Sequence, residues 1–174
     1  MYIYLRPIKI EDGPQIVRWR NDTNVRSHCM NRTPITIESN NAFFEANVKT
    51  GKYKQFIVEY VEPQSGAAVY PIATVYLKDM DYCNKRCELC IFTSSDTEWD
   101  SECQSIAIKQ LIEKAFDEYG MHKLYSYVFS KFPEEIELLK SAGFQEEAVL
   151  KNEVLSLEGE YEDVVRMCIV KANA

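Results

Sequence analysis

The stretch Cys83–Gly120, CNKRCELCIFTSSDTEWDSECQSIAIKQLIEKAFDEYG, most constrains what this chain can become. Its second half sets Ala107, Ile108, Leu111, Ile112, Ala115, Phe116 and Tyr119 at helical spacing, so a long helix lays one apolar stripe on a sheet until Gly120 stops it. Its first half reads as a strand over Arg86–Thr93, and a polar connection joins the two. Strand, loop and helix N-terminus form a layout that can cradle phosphates, because the first amides of a helix lack internal partners and the dipole favours an anion there. The front of the stretch carries Cys83, Cys87 and Cys90 at C-x3-C-x2-C spacing, which suits an iron–sulfur cluster. The two readings put different chemistry on the same residues.

The flanks supply the sheet and the remaining helices. Tyr2–Leu5 alternates as a strand, and Asp12 caps a helix that has Pro14 in its first turn and Ile16, Val17 and Trp19 on one side. The string RNDTNVR, Arg20–Arg26, reads as a solvated loop or as arginines facing a cleft. Thr36 caps a second helix with Phe43, Phe44 and Val48 at helical spacing before Gly51. Gln55–Val61 and Val69–Leu77 form a hairpin around Pro63–Gly66. After the long helix come a strand at His122–Phe129, a short helix opened by Pro133 and closed by Gly143, and strands at Phe144–Lys151 and Tyr161–Val170. No linker or repeat interrupts this order, so one α+β domain spanning 1–174 accounts for the chain.

Composition narrows the function. A formal charge of −7, with acids densest in the C-terminal third, disfavours a nucleic-acid partner, which needs a basic surface. The longest uncharged run, near Gly66–Leu77, is too short and too interrupted by Pro71 to span a membrane. The chain opens on no basic segment followed by an apolar core, so the six cysteines read as reduced thiols in a cytoplasmic protein.

Several strings, taken in order, resemble one family. LRPI at Leu5–Ile8, WRND at Trp19–Asp22 followed by Val25 and Arg26, and PIATVYL at Pro71–Leu77 come first; CELCIF at Cys87–Phe92, EYGMHKLY at Glu118–Tyr125, SAGFQEE at Ser141–Glu147 and GEYEDVVRM at Gly159–Met167 follow. Together they resemble the GNAT acyltransferases, in the branch containing ribosomal-protein, polyamine and nucleotide-amino-sugar N-acetyltransferases. The resemblance implies a single domain with a mixed sheet of about six to seven strands flanked by about four helices. It also reassigns the cysteines, because a radical-SAM barrel needs far more chain than the 84 residues after Cys90. On one strand, moreover, Cys87 and Cys90 point to opposite faces.

The resemblance further implies acetyl-CoA as co-substrate. The edge at Phe92, Thr93 and Ser94 would pair with the pantetheine amides, as an added strand does. The turn before the long helix would hold the pyrophosphate through Trp99, Ser101, Cys103, Gln104 and Ser105. Relatives carry glycines in that turn, and Asp100 and Glu102 occupy the corresponding positions. A Cβ there resists close approach, and each carboxylate repels the phosphates. Glu88 is the catalytic base by resemblance, or else a strand residue paired with a neighbouring cation; Tyr125 and Tyr127, alternating on the next strand, read as packing residues, or one of them as a proton donor. The Asn and Tyr found in many relatives are replaced by Phe132 and Leu139. The acceptor would meet Trp19, Arg20, Asn21, Arg26 and His28, whose arginines suit a phosphate or carboxylate. No metal ligand is assigned.

Two functions follow from these residues. One is an N-acyltransferase acting on the amine of a small molecule, nucleotide sugar or peptide, as a monomer or homodimer. The other is a binding or regulatory module of the same fold that has lost CoA. The Trp99–Ser105 loop discriminates between them.

Overall fold

The computed structural model describes residues 2–62, 68–92 and 94–172. Seven strands form one mixed sheet: β1 Tyr2–Pro7, β2 Lys54–Val61, β3 Val69–Asp81, β4 Arg86–Ile91, β5 Lys123–Phe129, β6 Gln145–Leu155 and β7 Tyr161–Val170. Their spatial order is β1-β2-β3-β4-β5-β7-β6. Every neighbouring pair is antiparallel except β4 and β5, which run parallel through the crossover made by the long helix. The helices among the described residues are α1 Gly13–Asn21, α2 Thr23–Ser27, α3 Ile37–Phe43, α4 Ser101–Glu113 and α5 Pro133–Ser141.

The alternation of strand residues sends apolar side chains to both faces. On one face Val58, Val75, Leu77, Cys87, Leu89 and Leu124 meet Cys103, Ala107, Ile108, Leu111 and Ala115 of α4 in the main core. The expected stripe of the long helix is therefore the part that is buried. α4 continues into a wider turn at Lys114–Glu118, after which Gly120 adopts φ +66°, a left-handed conformation that favours glycine. On the other face α1 and α2 bury Ile16, Trp19 and Val25 against Ile57 and Phe92 in a smaller core.

Local hydrogen bonding explains where these elements differ from expectation. Asp22 accepts from the amides of Asn24 and Val25, so part of the polar RNDTNVR string is the capped helix α2 rather than a loop. The count therefore rises to five α-helices among the described residues. Asp12 precedes α1 but does not cap it; its carboxylate takes Arg6 at 2.9 and 3.0 Å and the Lys9 amide at 2.7 Å. β3 extends to Asp81 and β4 stops at Ile91, while the Pro63–Gly66 turn lies outside the described residues. No helix among the described residues is long and apolar enough to cross a membrane.

One departure from regularity organises the rest. β4 and β5 pair at Arg86–Lys123, Cys87–Leu124 and Glu88–Tyr125, and beyond those three positions they part. Leu89–Ile91 are thus left without partners on β5, and the sheet opens into a slot.

Candidate active site

A cavity of about 440 Å³ occupies that slot. Its wall draws Gln104 of α4 and Leu138 and Leu139 of α5 from one face of the sheet, and Arg20 of α1 and Ser39, Asn40 and Phe43 of α3 from the other. It therefore passes through the sheet. Between these two sets lie Leu89–Phe92 on the β4 side and Ser126, Tyr127 and Val128 on the β5 side.

Glu88 stands at the residue where the strands separate, and it is only 7% exposed. Its Oε2 lies 3.2 Å from Lys78 Nζ, and its Oε1 accepts from Cys90 Sγ at 3.2 Å. Burial pushes the Glu88 carboxyl above its ordinary range, against the pull of Lys78 and the Cys90 thiol. Burial acts against the Lys78 ammonium too, but Cys90 and Glu88 lift it above its usual value. The Cys90 thiol is driven well up by burial and stays protonated. The result is a desolvated carboxylate held by two donors, with lone pairs remaining for a third.

Of the residues expected at the acceptor side, Arg20 and His28 line the cavity and the other three do not. Trp19 is 0% exposed, enclosed by the smaller core, because its place on α1 faces the sheet. Asn21 instead pins the following loop, donating to the Ile35 carbonyl at 2.7 Å and accepting its amide at 2.8 Å. Arg26 donates to the Arg32 carbonyl at 3.0 Å. Arg32, itself buried, ties this loop to the far hairpin through Glu162 at 2.5 Å and the Leu155 carbonyl at 2.6 Å. Arg20 donates from Nη2 to the Asn31 carbonyl, while its Nη1 is enclosed without a partner. His28 Nδ1 meets Glu135 Oε1 of α5 at 2.5 Å and stacks on Phe132 with ring centroids 3.8 Å apart, linking α2 to α5.

The expected cofactor residues also divide. Phe92 and Gln104 reach the cavity, and Thr93 lies outside the described residues. The edge left unpaired on β4 is Leu89–Ile91, earlier than the expected Phe92–Ser94, where Phe92 and Ser94 are buried. Ser94 Oγ accepts from the Asp96 amide at 3.0 Å. Trp99 and Cys103 belong to the main core.

At the start of α4, Asp100 is the N-cap and accepts the Cys103 amide at 2.8 Å. The Gln104 amide is taken by the Asp100 carbonyl at 2.9 Å, and the Gln104 side chain donates to the Trp99 carbonyl at 3.1 Å. Ser105 lies past the first turn, where amides serve the helix itself. Of the residues expected to meet a pyrophosphate, Cys103 to Ser105 thus have their amides engaged, leaving Ser101, with Glu102 next to it, at an exposed helix start. The carboxylates at the glycine positions are themselves exposed, and one of them satisfies its own helix.

The cysteines do not converge. Cys83 is exposed in the turn before β4, Cys87 is buried in the main core and Cys90 faces the cavity, and no group of three potential metal ligands gathers among the described residues.

Sequence reasoning passed over Thr74, Tyr76 and Lys78, which line the cavity from β3, and Tyr53 and Gln55 beside them. A signal was present: these polar β3 positions alternate with buried Ala73, Val75 and Leu77 in a strand covered on both faces. Tyr127 also lines the cavity, its hydroxyl oxygen accepting from Arg166 Nη1 at 3.0 Å, whereas Tyr125 lies under the Arg166 guanidinium, 4.3 Å from its ring centroid. Burial pushes the Tyr125 phenol up to about 12.

A family model described as Acetyltransferase (GNAT) domain matches residues 3–145. Comparison with curated proteins by sequence finds no match. Among solved structures, the spermidine N-acetyltransferase from Vibrio cholerae in complex with CoA and spermine superposes with a TM-score of 0.87 at 23% identity, covering 97% of this chain and 95% of that one. A point mutant of spermidine N-acetyltransferase from Vibrio cholerae gives a TM-score of 0.81 at 24% identity, covering 97% and 93%. A chimera built on the Vibrio cholerae protein gives 0.84 at 22%, covering 98% and 96%. At these identities the likeness concerns the fold.

Proposed function

The chain belongs to the GNAT acetyltransferase family, and from that premise we propose that it transfers the acetyl group of acetyl-CoA to an amine seated in the slot between β4 and β5. The observation that carries the reading is Glu88, a buried carboxylate of raised basicity at the point where the strands part.

The slot fits the acyl-bearing arm of the co-substrate. Leu89–Ile91, paired with β3 on one edge and without a β5 partner on the other, offers on that open edge the amide and carbonyl groups that an extended arm needs. The helix start offers the pyrophosphate the amides of Ser101 and Glu102, with the Asp100 carboxylate beside them. When bound, acetyl-CoA supplies an activated thioester, which an amine attacks once it is neutral. Glu88 takes the proton that the amine must lose, since desolvation makes its carboxylate a stronger base than a surface one. Lys78 and Cys90 each hold one of its oxygens and fix its direction. Tyr127 stands on the opposite wall with its oxygen already accepting from Arg166, so its O–H is free to donate to the departing sulfur.

The volume of about 440 Å³ suits a small-molecule amine or the terminal amine of a peptide. Purified protein titrated with acetyl-CoA and then assayed for thiol release with a panel of amines tests the reading. Saturable binding and turnover that falls in Glu88→Gln support it; absence of binding at millimolar acetyl-CoA refutes it. A second reading, a module of this fold without CoA, is favoured by one observation, the Asp100 carboxylate occupying the Cys103 amide. The same titration decides between them.

A further inference from the structure

Five side chains lining the cavity can carry charge in the ordinary range: Arg20, His28, Lys78, Glu88 and Glu135. Four of them answer one another. Lys78 is paired with Glu88 at 3.2 Å, and His28 with Glu135 at 2.5 Å. Arg20 is left over. Its Nη2 donates to a backbone carbonyl, its Nη1 is enclosed without an acceptor, and no carboxylate among the described residues pairs with it.

A guanidinium cannot escape such a position by losing its proton. A buried donor without an acceptor is destabilising, more so when it is charged. Arg20 itself lines the cavity, and its charge is delocalised over the whole guanidinium, so a ligand there can answer that charge without reaching Nη1. A neutral carbonyl would satisfy the hydrogen bond but leave the charge uncompensated, whereas an anionic oxygen satisfies both.

Taking the cavity as the acceptor site, as in the reading above, we propose that the acceptor is an amine that also bears an anionic oxygen group, a carboxylate or a phosphate, and that Arg20 binds that group. The same arrangement disfavours a polycation. Both acids of the wall are already paired, so a second ammonium on the acceptor would find no free carboxylate and would meet an uncompensated guanidinium. The acceptor class would then differ from the spermine held by the structurally similar Vibrio cholerae enzyme.

Matched probes test this on the full chain by calorimetric titration. Phosphoethanolamine and serine are each compared with ethanolamine, glucosamine 6-phosphate is compared with glucosamine, and spermidine serves as the polycation. The expected result is at least tenfold tighter binding of the anionic member of a pair, with the carboxylate and phosphate arms showing which group Arg20 takes. In Arg20→Gln the ratio within a pair collapses toward one, and in Arg20→Lys, which keeps the charge without the fork, part of it returns. Equal affinities within every pair, no binding of any anionic probe, tighter binding of spermidine, or an undiminished ratio in Arg20→Gln each overturn the proposal. If Arg20→Gln fails to fold, the pairs measured on the unaltered protein still decide. Acetyl transfer is followed on the same samples. A preference for anionic amines without turnover leaves the anion site and removes the transferase reading, whereas turnover with no preference removes the anion site alone.

Discussion

Replacing Asp100 by Asn separates the two things its carboxylate does. The amide oxygen of Asn still accepts from the Cys103 N–H, which Asp100 now takes at 2.8 Å, so the cap survives. The charge does not. For a phosphate oxygen at the start of α4, taken as roughly 6 Å from that carboxylate, two unit charges repel by about 0.7 kcal/mol at the dielectric of water and about 3 kcal/mol at an effective value near 20. Asp100 is exposed, so the lower figure applies. Two phosphate charges give about 1.4 kcal/mol, and salt near 0.1 M removes about half of it. Asp100→Asn should therefore bind acetyl-CoA roughly three- to tenfold more tightly, with the melting temperature nearly unchanged, and the gain should shrink as salt is raised toward about 1 M. Isothermal titration at two ionic strengths reads both effects. Asp100→Ala supplies the contrast, losing the cap and about 1 kcal/mol of stability. Unchanged or weaker affinity in the Asn variant would show that the carboxylate does not face the phosphates and that the argument from charge is wrong.

Glu88→Gln removes the base while keeping its shape, and kcat should fall about 10²- to 10⁴-fold in a thiol-release assay. Lys78→Met removes the cation whose attraction opposes the burial of Glu88, so the Glu88 pKa rises further. Since Glu88 must be ionised to accept a proton, the acidic limb of kcat/KM should move to higher pH in that variant; a limb that stays put or moves lower contradicts the pairing. Leu111→Ala deletes a fully buried side chain of the main core and should destabilise by about 2–5 kcal/mol, lowering the melting temperature by roughly 5–15 °C.

How legible each feature was in the sequence follows from what a linear pattern can encode. The stripe from Ala107 to Tyr119 has the helical period, and that period is a statement about burial, so α4 and the face it covers could be read directly. That the sheet is mixed came through the resemblance, while its spatial order was not read, since neighbouring strands β4 and β5 are separated by the whole of α4. The slot could not be read, because nothing in the residues Leu89–Ile91 announces that the parallel pairing ends at Glu88. Trp19 and Arg20 illustrate the direction problem: adjacent in sequence, one turns into the core and the other to the cavity, according to the face of a single helix turn. Asp100 was legible in principle. An acidic residue opening an amphipathic run is an N-cap signature, and reading it as a lost glycine obscured the bond it makes.

A slot walled by residues from both faces of a sheet can be entered from two sides, and under the proposed function this would have a kinetic meaning. If, as proposed, the donor reaches in beside α4 and α5 and the acceptor beside α1 and α3, the two would not share a doorway, so neither would have to arrive first and neither product would have to wait for the other to leave. The acetyl group then has no reason to rest on the protein between visits. Initial-rate lines for the two substrates should intersect rather than run parallel, and each product should compete only with the substrate that used its own entrance.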